Sequence, residues 1–93
     1  MELSTQLIEL IQAQFKTADQ QLVQDQLISI ELRHVMAESA YNLNNTRNAV
    51  LFLAKGDLKS VIQLTEAAKI DFRDVISWAV SDKLSAPLPG ADN

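Results

Sequence analysis

A cluster of acidic and imidazole side chains in the middle of the chain has the residue types of a metal site. Glu31 and His34 stand three positions apart, and Glu38 follows one helical turn later. On an α-helix these side chains project to one side, and Glu-x-x-His supplies ligands in di-iron bundles. A complete site would need a symmetric dimer to double the motif, with Glu9 as a further carboxylate. Because so short a motif often arises by chance, we predict an amphipathic His34 beside solvated glutamates, with no metal and no other cofactor.

Few residues in this sequence are candidates for catalysis. The chain contains one histidine, no cysteine and no glycine-rich segment that would bind phosphate groups. The absence of cysteine removes disulfides, thiolate nucleophiles and cysteine-ligated metal centres. Two neighbouring carboxylates, Asp71 and Asp74, lie where capping of a helix N-terminus already explains them. We therefore predict that the protein is not an enzyme.

The charge balance argues against nucleic-acid binding. Eight Lys and Arg against twelve Asp and Glu give a formal net charge of −4, the wrong sign for attraction to phosphates. Residues 64–78 have the outline of a helix-turn-helix whose second helix starts near Phe72. The turn contains no glycine, however, and the second helix carries more aspartates than basic residues. A helix-turn-helix DNA-binding protein is an alternative, but no nucleic-acid partner is expected.

Length and composition predict one small domain without a membrane segment. The 93 residues, 47% of them apolar, allow a single folded domain. A domain of this size buries only about 60–65% of the surface that its unfolded chain exposes, so it gains stability from a partner. No window approaches the ~18–20 apolar residues of a spanning helix, and the acidic N-terminus lacks the basic start of a signal peptide. We predict a cytoplasmic protein that does not associate with membranes.

Helix-forming residues make up nearly the whole chain, including the segments that would position a functional site. Between Leu3 and Leu84 there is no proline, and the only glycine is Gly56. No alternation of apolar and polar residues is long enough for a strand. The sequence therefore predicts an all-α fold, a bundle of four or five helices. We place a single helical domain over residues 1–84 and a disordered tail, which bears proline, glycine and an acid, over residues 85–93.

Local signals predict where the helices begin and end. The predicted helices cover residues 4–16, 17–42, 46–55 and 58–69, and a fifth starts after the cap Asp71. Ser4 is a candidate N-cap, and Thr17 with Gln20 forms a candidate capping box at the start of the second helix. Three asparagines, Asn42, Asn44 and Asn45, are expected to interrupt the chain before the third helix. Gly56 and Asp57 predict a tight corner before the fourth. Apolar spacing predicts the packing faces of the last two helices: Leu58, Val61, Ile62, Thr65 and Ala68 on the fourth, and Phe72, Val75, Ile76, Ala79 and Val80 on the fifth. Phe72 and Trp78 are predicted to be core or interface anchors.

The long second helix has two apolar stripes. The second of them steps by 4, 3, 4, 3 and 4 residues, the spacing of a coiled-coil seam. This Val23–Tyr41 stripe consists of Val23, Leu27, Ile30, His34, Ala37 and Tyr41. A helix that only covers the core of a small monomer needs one stripe, so two stripes require neighbours on both sides. The neighbours are other helices of the same chain or the same helix of a second chain, and we favour a homodimer formed through this stripe.

A pattern in the C-terminal half adds a family resemblance. The pattern consists of Gly56-Asp57-Leu58, Ala67-Ala68-Lys69 and Asp71-Phe72-Arg73-Asp74-Val75, followed by Trp78-Ala79. Over about residues 46–80 the chain resembles short bacterial helical proteins of uncharacterised function. The resemblance implies a bacterial cytoplasmic protein with helix boundaries at these points, and it implies no site residues.

Association is therefore the function that the sequence favours. We predict a non-enzymatic module that binds a second copy of itself, or another protein, through the Val23–Tyr41 stripe. If the chain is a monomer instead, a cleft between its helices makes small-molecule binding the next hypothesis.

Overall fold

Five α-helices make up most of the described chain. The structure, a computed structural model, describes residues 2–85, and within that range it contains no β-strand. The helices are α1 (Thr5–Gln14), α2 (Thr17–Ile28), α3 (Ala40–Ala54), α4 (Leu58–Ile70) and α5 (Phe72–Ser85). The predicted all-α fold of four or five helices is thus confirmed. None of these helices is both long and apolar enough to cross a membrane. Residues 86–93 of the predicted tail lie outside the described residues.

Side-chain caps fix the starts of α1 and α4 as predicted. The Ser4 hydroxyl accepts a hydrogen bond from the Leu7 amide at 3.2 Å. The Asp57 carboxylate accepts one from the Ser60 amide at 3.0 Å. Each bond satisfies an amide that has no partner within its own helix.

α2 begins at Thr17, but the predicted capping box is not formed. The N-cap residue is Lys16, which makes no side-chain cap bond. Gln20 instead turns back toward α1, where its Nε2 donates to the Phe15 carbonyl at 3.0 Å. This bond holds the turn between α1 and α2, a role that local spacing does not reveal.

The predicted long second helix is wrong. α2 ends at Ile28, twelve residues after it begins. Residues 29–39, here called the connector, contain two 3-10 turns, Leu32–His34 and Met36–Glu38, and no α-helix. The chain therefore changes direction where continuous helical periodicity predicted a straight rod.

The three asparagines that were expected to interrupt the chain lie inside α3. Their helical neighbours supply hydrogen bonds along the same helix: Thr46 Oγ1 donates to the Asn42 carbonyl at 2.7 Å, and Asn48 Nδ2 donates to the Asn44 carbonyl at 3.0 Å. Ser39 caps the helix by accepting from the Asn42 amide at 3.2 Å. The helix interruption thus lies before the asparagines and not at them.

A buried arginine on α3 holds the end of α2. The Arg47 side chain is 2% exposed, and it donates from Nε to the Leu27 carbonyl at 2.9 Å and from Nη2 to the Ile30 carbonyl at 2.7 Å. Longer bonds of 3.4 Å reach the carbonyls of Ile28 and Glu2. In a helix that continued for another turn, backbone amides would donate to these carbonyls. Here the Arg47 side chain donates to them instead. The cation also lies at the negative end of the α2 dipole, which stabilises it.

The connector satisfies its own amides and adopts unusual backbone angles. The Glu31 amide donates to Nδ1 of His34 at 2.9 Å, and the His34 amide donates back to the Glu31 carbonyl at 2.9 Å. Ala37 and Glu38 have φ angles of 57° and 47°, in the left-handed region. Such angles cost a residue other than glycine roughly 1–2 kcal/mol. The connector is therefore held in place although part of its backbone is strained.

One hydrophobic cluster joins all five helices. α3 packs against both α4 and α5, α2 packs against α4, and α1 packs against α2. Fully buried side chains of this cluster include Leu7, Ile11, Val23, Leu27, Ile30, Leu43, Val50, Leu51, Val61 and Val75. On α4 the predicted packing face is right for Val61, Thr65 and Ala68, whereas Ile62 is exposed. The core thus lies between the α1–α2 pair and the three C-terminal helices.

The corner between α3 and α4 forms as predicted at Gly56. Lys55 and Gly56 have φ angles of 50° and 81°, which end α3 in a left-handed turn. A Cβ atom on Gly56 would lie 3.2 Å from the Gln14 carbonyl oxygen. The corner therefore packs closely on the end of α1, and this brings α1 beside α3.

Candidate functional site

The structure divides the Val23–Tyr41 stripe between the interior and the surface. The residues Val23, Leu27 and Ile30 have no exposed surface, Ala37 and Tyr41 are exposed, and His34 is half-buried. The stripe runs from α2 through the connector into α3, so the six residues do not share one face of a helix. Within a single chain the first three already contact the core. In the folded single chain the six residues therefore form no continuous surface, and the homodimer through this stripe stays a prediction.

The candidate metal ligands do not converge. Glu31, His34 and Glu38 would share a face only on an α-helix, and the connector is not α-helical. The Glu31 carboxylate instead pairs with Nε of Arg33 at 2.9 Å, and His34 Nδ1 is occupied by the Glu31 amide. Over residues 2–85, no three His, Asp or Glu side chains lie together as metal ligands would.

His34 gives the connector a titratable contact. Burial lowers the pKa of His34 below its ordinary value, and the positive charges of Arg33 and Lys69 lower it further. The Glu31 carboxylate acts in the opposite direction and raises this pKa. Only the neutral imidazole can accept the Glu31 amide through Nδ1. The folded chain therefore favours neutral His34.

We expect the folded chain to lose stability as the pH falls below about 6.5, the ordinary pKa of histidine. The unfolded chain takes up a proton there, whereas the folded chain takes it up only at a lower pH, so acid favours unfolding in this window. The carboxylates of Glu31, Asp57 and Asp71 have lowered pKa values and titrate at more acidic pH. Urea unfolding of the native chain and of His34→Asn, which keeps an acceptor but does not titrate, measures the effect. An equal pH dependence in both proteins would contradict it.

The corner between α4 and α5 is shorter than the turn of a helix-turn-helix. Only Asp71 separates the two helices, whereas that motif uses a turn of about 3–4 residues. The Asp71 carboxylate accepts from the Arg73 amide at 3.0 Å, so it caps α5 as predicted. It also pairs with the Arg73 guanidinium through two bonds of 3.1 Å. The basic residue at the start of α5 is therefore already engaged by an acid.

An open groove of about 690 Å³ lies between α1, α3 and α5. Its apolar lining comes from all three helices: Leu10 of α1, Phe52 of α3, and Phe72, Ile76 and Val80 of α5. The last three stand four residues apart and so follow one face of α5. This face had been predicted to pack in the core. Phe72 and Ile76 are half-buried and pack against the core as predicted, whereas Val80 is exposed.

Amide side chains form a second lining of the groove. Gln14 of α1 lies there with Asn42, Asn45 and Asn48 of α3. Asn42 Nδ2 donates to the Met36 carbonyl at 3.2 Å. The groove therefore combines an apolar surface with amides that can donate and accept hydrogen bonds.

The charged residues that line the groove are both basic. They are Arg73 and Lys83, which lie about 15 Å apart along α5 at the rise of an α-helix. Lys83 Nζ lies 5.7 Å from the centre of the Phe52 ring, a cation–π distance. The neighbouring Lys55 forms an ion pair with Asp82 at 2.7 Å outside the groove. A chain with a net charge of −4 thus presents a groove with the cation of Lys83 toward one end and the Arg73–Asp71 pair toward the other.

Two features of the structure, the buried Arg47 and the row of amides along the groove, were not predicted, although each has a signal in the sequence. Arg47 has apolar residues at helical spacing on both sides, Leu43 before it and Val50 after it, which indicates an inward-facing arginine. Asn42 and Asn45 belong to the predicted helix interruption, yet together with Asn48 they repeat every three residues as one helix face does.

Trp78, predicted to be a core or interface anchor, lies half-exposed on α5. It borders a shallower depression with Leu53 of α3 and Leu64 of α4, on a surface that does not include the groove residues. This depression has fewer polar side chains than the groove and no charged lining residue.

Comparisons of the chain with protein-family models, with curated proteins and with solved structures found no match. The resemblance of residues 46–80 to short bacterial helical proteins therefore stays a prediction. A function for the chain has to be inferred from its own residues.

Proposed function

We propose that the chain is a non-enzymatic protein-interaction module whose α1–α3–α5 groove binds an amphipathic helix of a partner protein. The observation that supports this most directly is the apolar groove itself, open to solvent and bounded by three helices. Helices commonly bind partner helices in grooves of this kind through apolar residues at positions i, i+3 or i+4, and i+7.

The size and shape of the groove favour a helix over a small molecule. Its length along α5, from Arg73 to Lys83, is about 15 Å, which matches roughly ten residues of a bound helix. Small-molecule sites usually enclose about 70–90% of the ligand surface. An open groove with an apolar surface leaves one side of its ligand in water, as an amphipathic helix requires.

The charges of the groove favour an acidic partner. Lys83 supplies a positive charge toward one end, Arg73 with its partner Asp71 lies toward the other, and no carboxylate lines the space between them. Acidic residues about ten positions apart on the partner helix would lie near these cations. The amide of Asn45 can bond to polar groups at the edge of the same helix.

A selection from a library of displayed helical peptides tests this function. We expect the selected peptides to carry apolar residues at helical spacing and acids near both ends. Val80→Glu should weaken their binding at least ~10-fold, because it removes an apolar contact and adds a charge that repels acids. Ile62→Glu is the matched control, since Ile62 is 43% exposed, close to the 52% of Val80, and lies on α4 away from the groove.

Two results would contradict the proposal. One is a selection that yields no binding peptide, and the other is a set of peptides that bind Val80→Glu as tightly as the native chain. Backbone amide shifts on titration locate the bound peptide, and we expect the largest shifts in α1, α3 and α5. Circular dichroism of both variants shows that they keep their helices.

A further inference from the structure

The connector interrupts a sequence that otherwise favours a continuous helix. Residues 17–54 contain neither proline nor glycine, and the Val23–Tyr41 stripe keeps helical spacing across the interruption. Ala37 and Glu38 nevertheless adopt left-handed angles that an α-helix would relieve. Short strained hinges of this kind favour the exchange of identical elements between chains.

We propose that the connector is a hinge, and that the chain forms a dimer by exchanging its α1–α2 unit with a second copy. In the exchanged form α2, the connector and α3 join into one helix over residues 17–54, about 57 Å long. The helix relieves both left-handed residues and supplies new backbone hydrogen bonds to the connector. This inference does not depend on the proposed function of the groove.

The buried contacts of α2 determine which partner can take part. Val23, Leu27 and Ile30 have no exposed surface and belong to the cluster that includes α4. When the helix straightens, these side chains leave their positions and expose an apolar site on α3 and α4. Only the α1–α2 unit of a second copy carries the same side chains at the same spacing. The occupant is therefore another copy of this chain.

Arg47 is the contact that holds the monomer closed. Its bonds reach the carbonyls of Leu27 and Ile30, which in a continuous helix accept the amides four residues later. The exchanged form thus loses the bonds of Arg47 and gains helical ones. Met36 and Tyr41, exposed in the monomer, then lie on the long helix, where the two copies run beside each other.

Ala40→Pro tests the hinge because proline is compatible with only one of the two forms. Ala40 is the first residue of α3 and is exposed, and Ser39 before it has φ −82° and ψ 126°. Proline is well tolerated at this position in the monomer and after such a residue. Inside the long helix it disfavours the helix about 100-fold per chain, so the dimer should weaken about 10⁴-fold.

The experiment measures the molecular mass by light scattering after refolding from urea at high protein concentration. We expect the native chain to contain dimer and Ala40→Pro to be monomeric. Thr5→Pro is the matched control, because it places proline at the first residue of α1 after a similarly extended residue. It should leave the fraction of dimer unchanged. In a mixture of isotope-labelled and unlabelled native chains, nuclear Overhauser contacts between chains should join α2 to α4.

A second variant covers the case in which Ala40→Pro does not fold. Ala37→Gly relieves the strain at one of the two left-handed residues of the monomer and weakens the long helix, so the dimer should weaken at least ~100-fold. Ala13→Gly, exposed within α1, loses helix propensity equally in both forms and serves as its control. The inference is overturned if the native chain stays monomeric, if neither hinge variant changes the dimer relative to its control, or if the dimer lacks the α2–α4 contacts between chains.

Discussion

Replacing Arg47 with methionine is expected to lower the free energy of unfolding by about 3–5 kcal/mol. Methionine fills a similar volume but donates no hydrogen bonds. The carbonyls of Leu27 and Ile30 then lose their short bonds to a charged donor, each worth roughly 1.5–3 kcal/mol. Urea unfolding at low protein concentration measures the loss without a contribution from dimer. A domain of this size has a total stability of about 5–14 kcal/mol, so the effect is a large fraction of it.

Two further variants show whether the loss of stability comes from the hydrogen bonds that the Arg47 guanidinium donates to several carbonyls at once. Arg47→Lys keeps a positive charge but presents a single ammonium group, so we expect an intermediate loss. Arg33→Met removes an exposed arginine, 74% accessible, whose surface pair with Glu31 is screened by water and should contribute little to stability. If Arg47→Met costs no more than Arg33→Met, water satisfies the α2 carbonyls and the arginine does not hold them.

Leu27→Glu is expected to unfold the chain. Loss of a buried leucine side chain alone costs about 2–5 kcal/mol, and a carboxylate at a site without exposed surface adds several more. The sum approaches or exceeds the stability expected for a domain of this size. Circular dichroism and the dispersion of amide signals measure the outcome.

Tyr41→Glu distinguishes the structure described here, in which Leu27 is a core residue, from a structure in which the whole Val23–Tyr41 stripe forms one dimer interface. Tyr41 belongs to the same stripe but is 75% exposed, so its replacement should change the stability by no more than about 0.5 kcal/mol. If the six residues formed one dimer seam, both substitutions would yield folded monomers. A folded, monomeric Leu27→Glu would therefore contradict the structure of α2 described here.

Helix starts and corners could be predicted because their causes are local. Ser4 and Asp57 bond to amides three residues away, and Gly56 supplies a backbone conformation that its own residue type favours. Such signals lie within one helical turn of sequence. They were confirmed wherever the side chain had no stronger partner elsewhere. At Thr17 the signal failed, because Gln20 bonds to the preceding helix instead.

The end of α2 could not be predicted from local signals because its cause is 20 residues away. Helix propensity and apolar spacing both favour a helix across the connector, and the long-range bonds that oppose them come from Arg47. The groove could not be predicted from the sequence for a related reason. The apolar face of α5 was identified, but its exposure depends on how far α1 stands from α3 and α5. That distance is set by packing, including the contact between Gly56 and Gln14.

The position of Arg47 in the chain also bears on protein synthesis. A ribosome releases the N-terminus first, at about 5–20 residues per second, so Leu27 emerges roughly 1–4 s before Arg47. During that interval the residues of α1 and α2 have been synthesised. The Arg47 guanidinium and the helices that cover α1 and α2 in the folded chain have not. The α1–α2 unit, which depends on later residues for its burial, is thus synthesised first. Neighbouring nascent chains on one messenger RNA meet while the apolar side chains of this unit are still exposed.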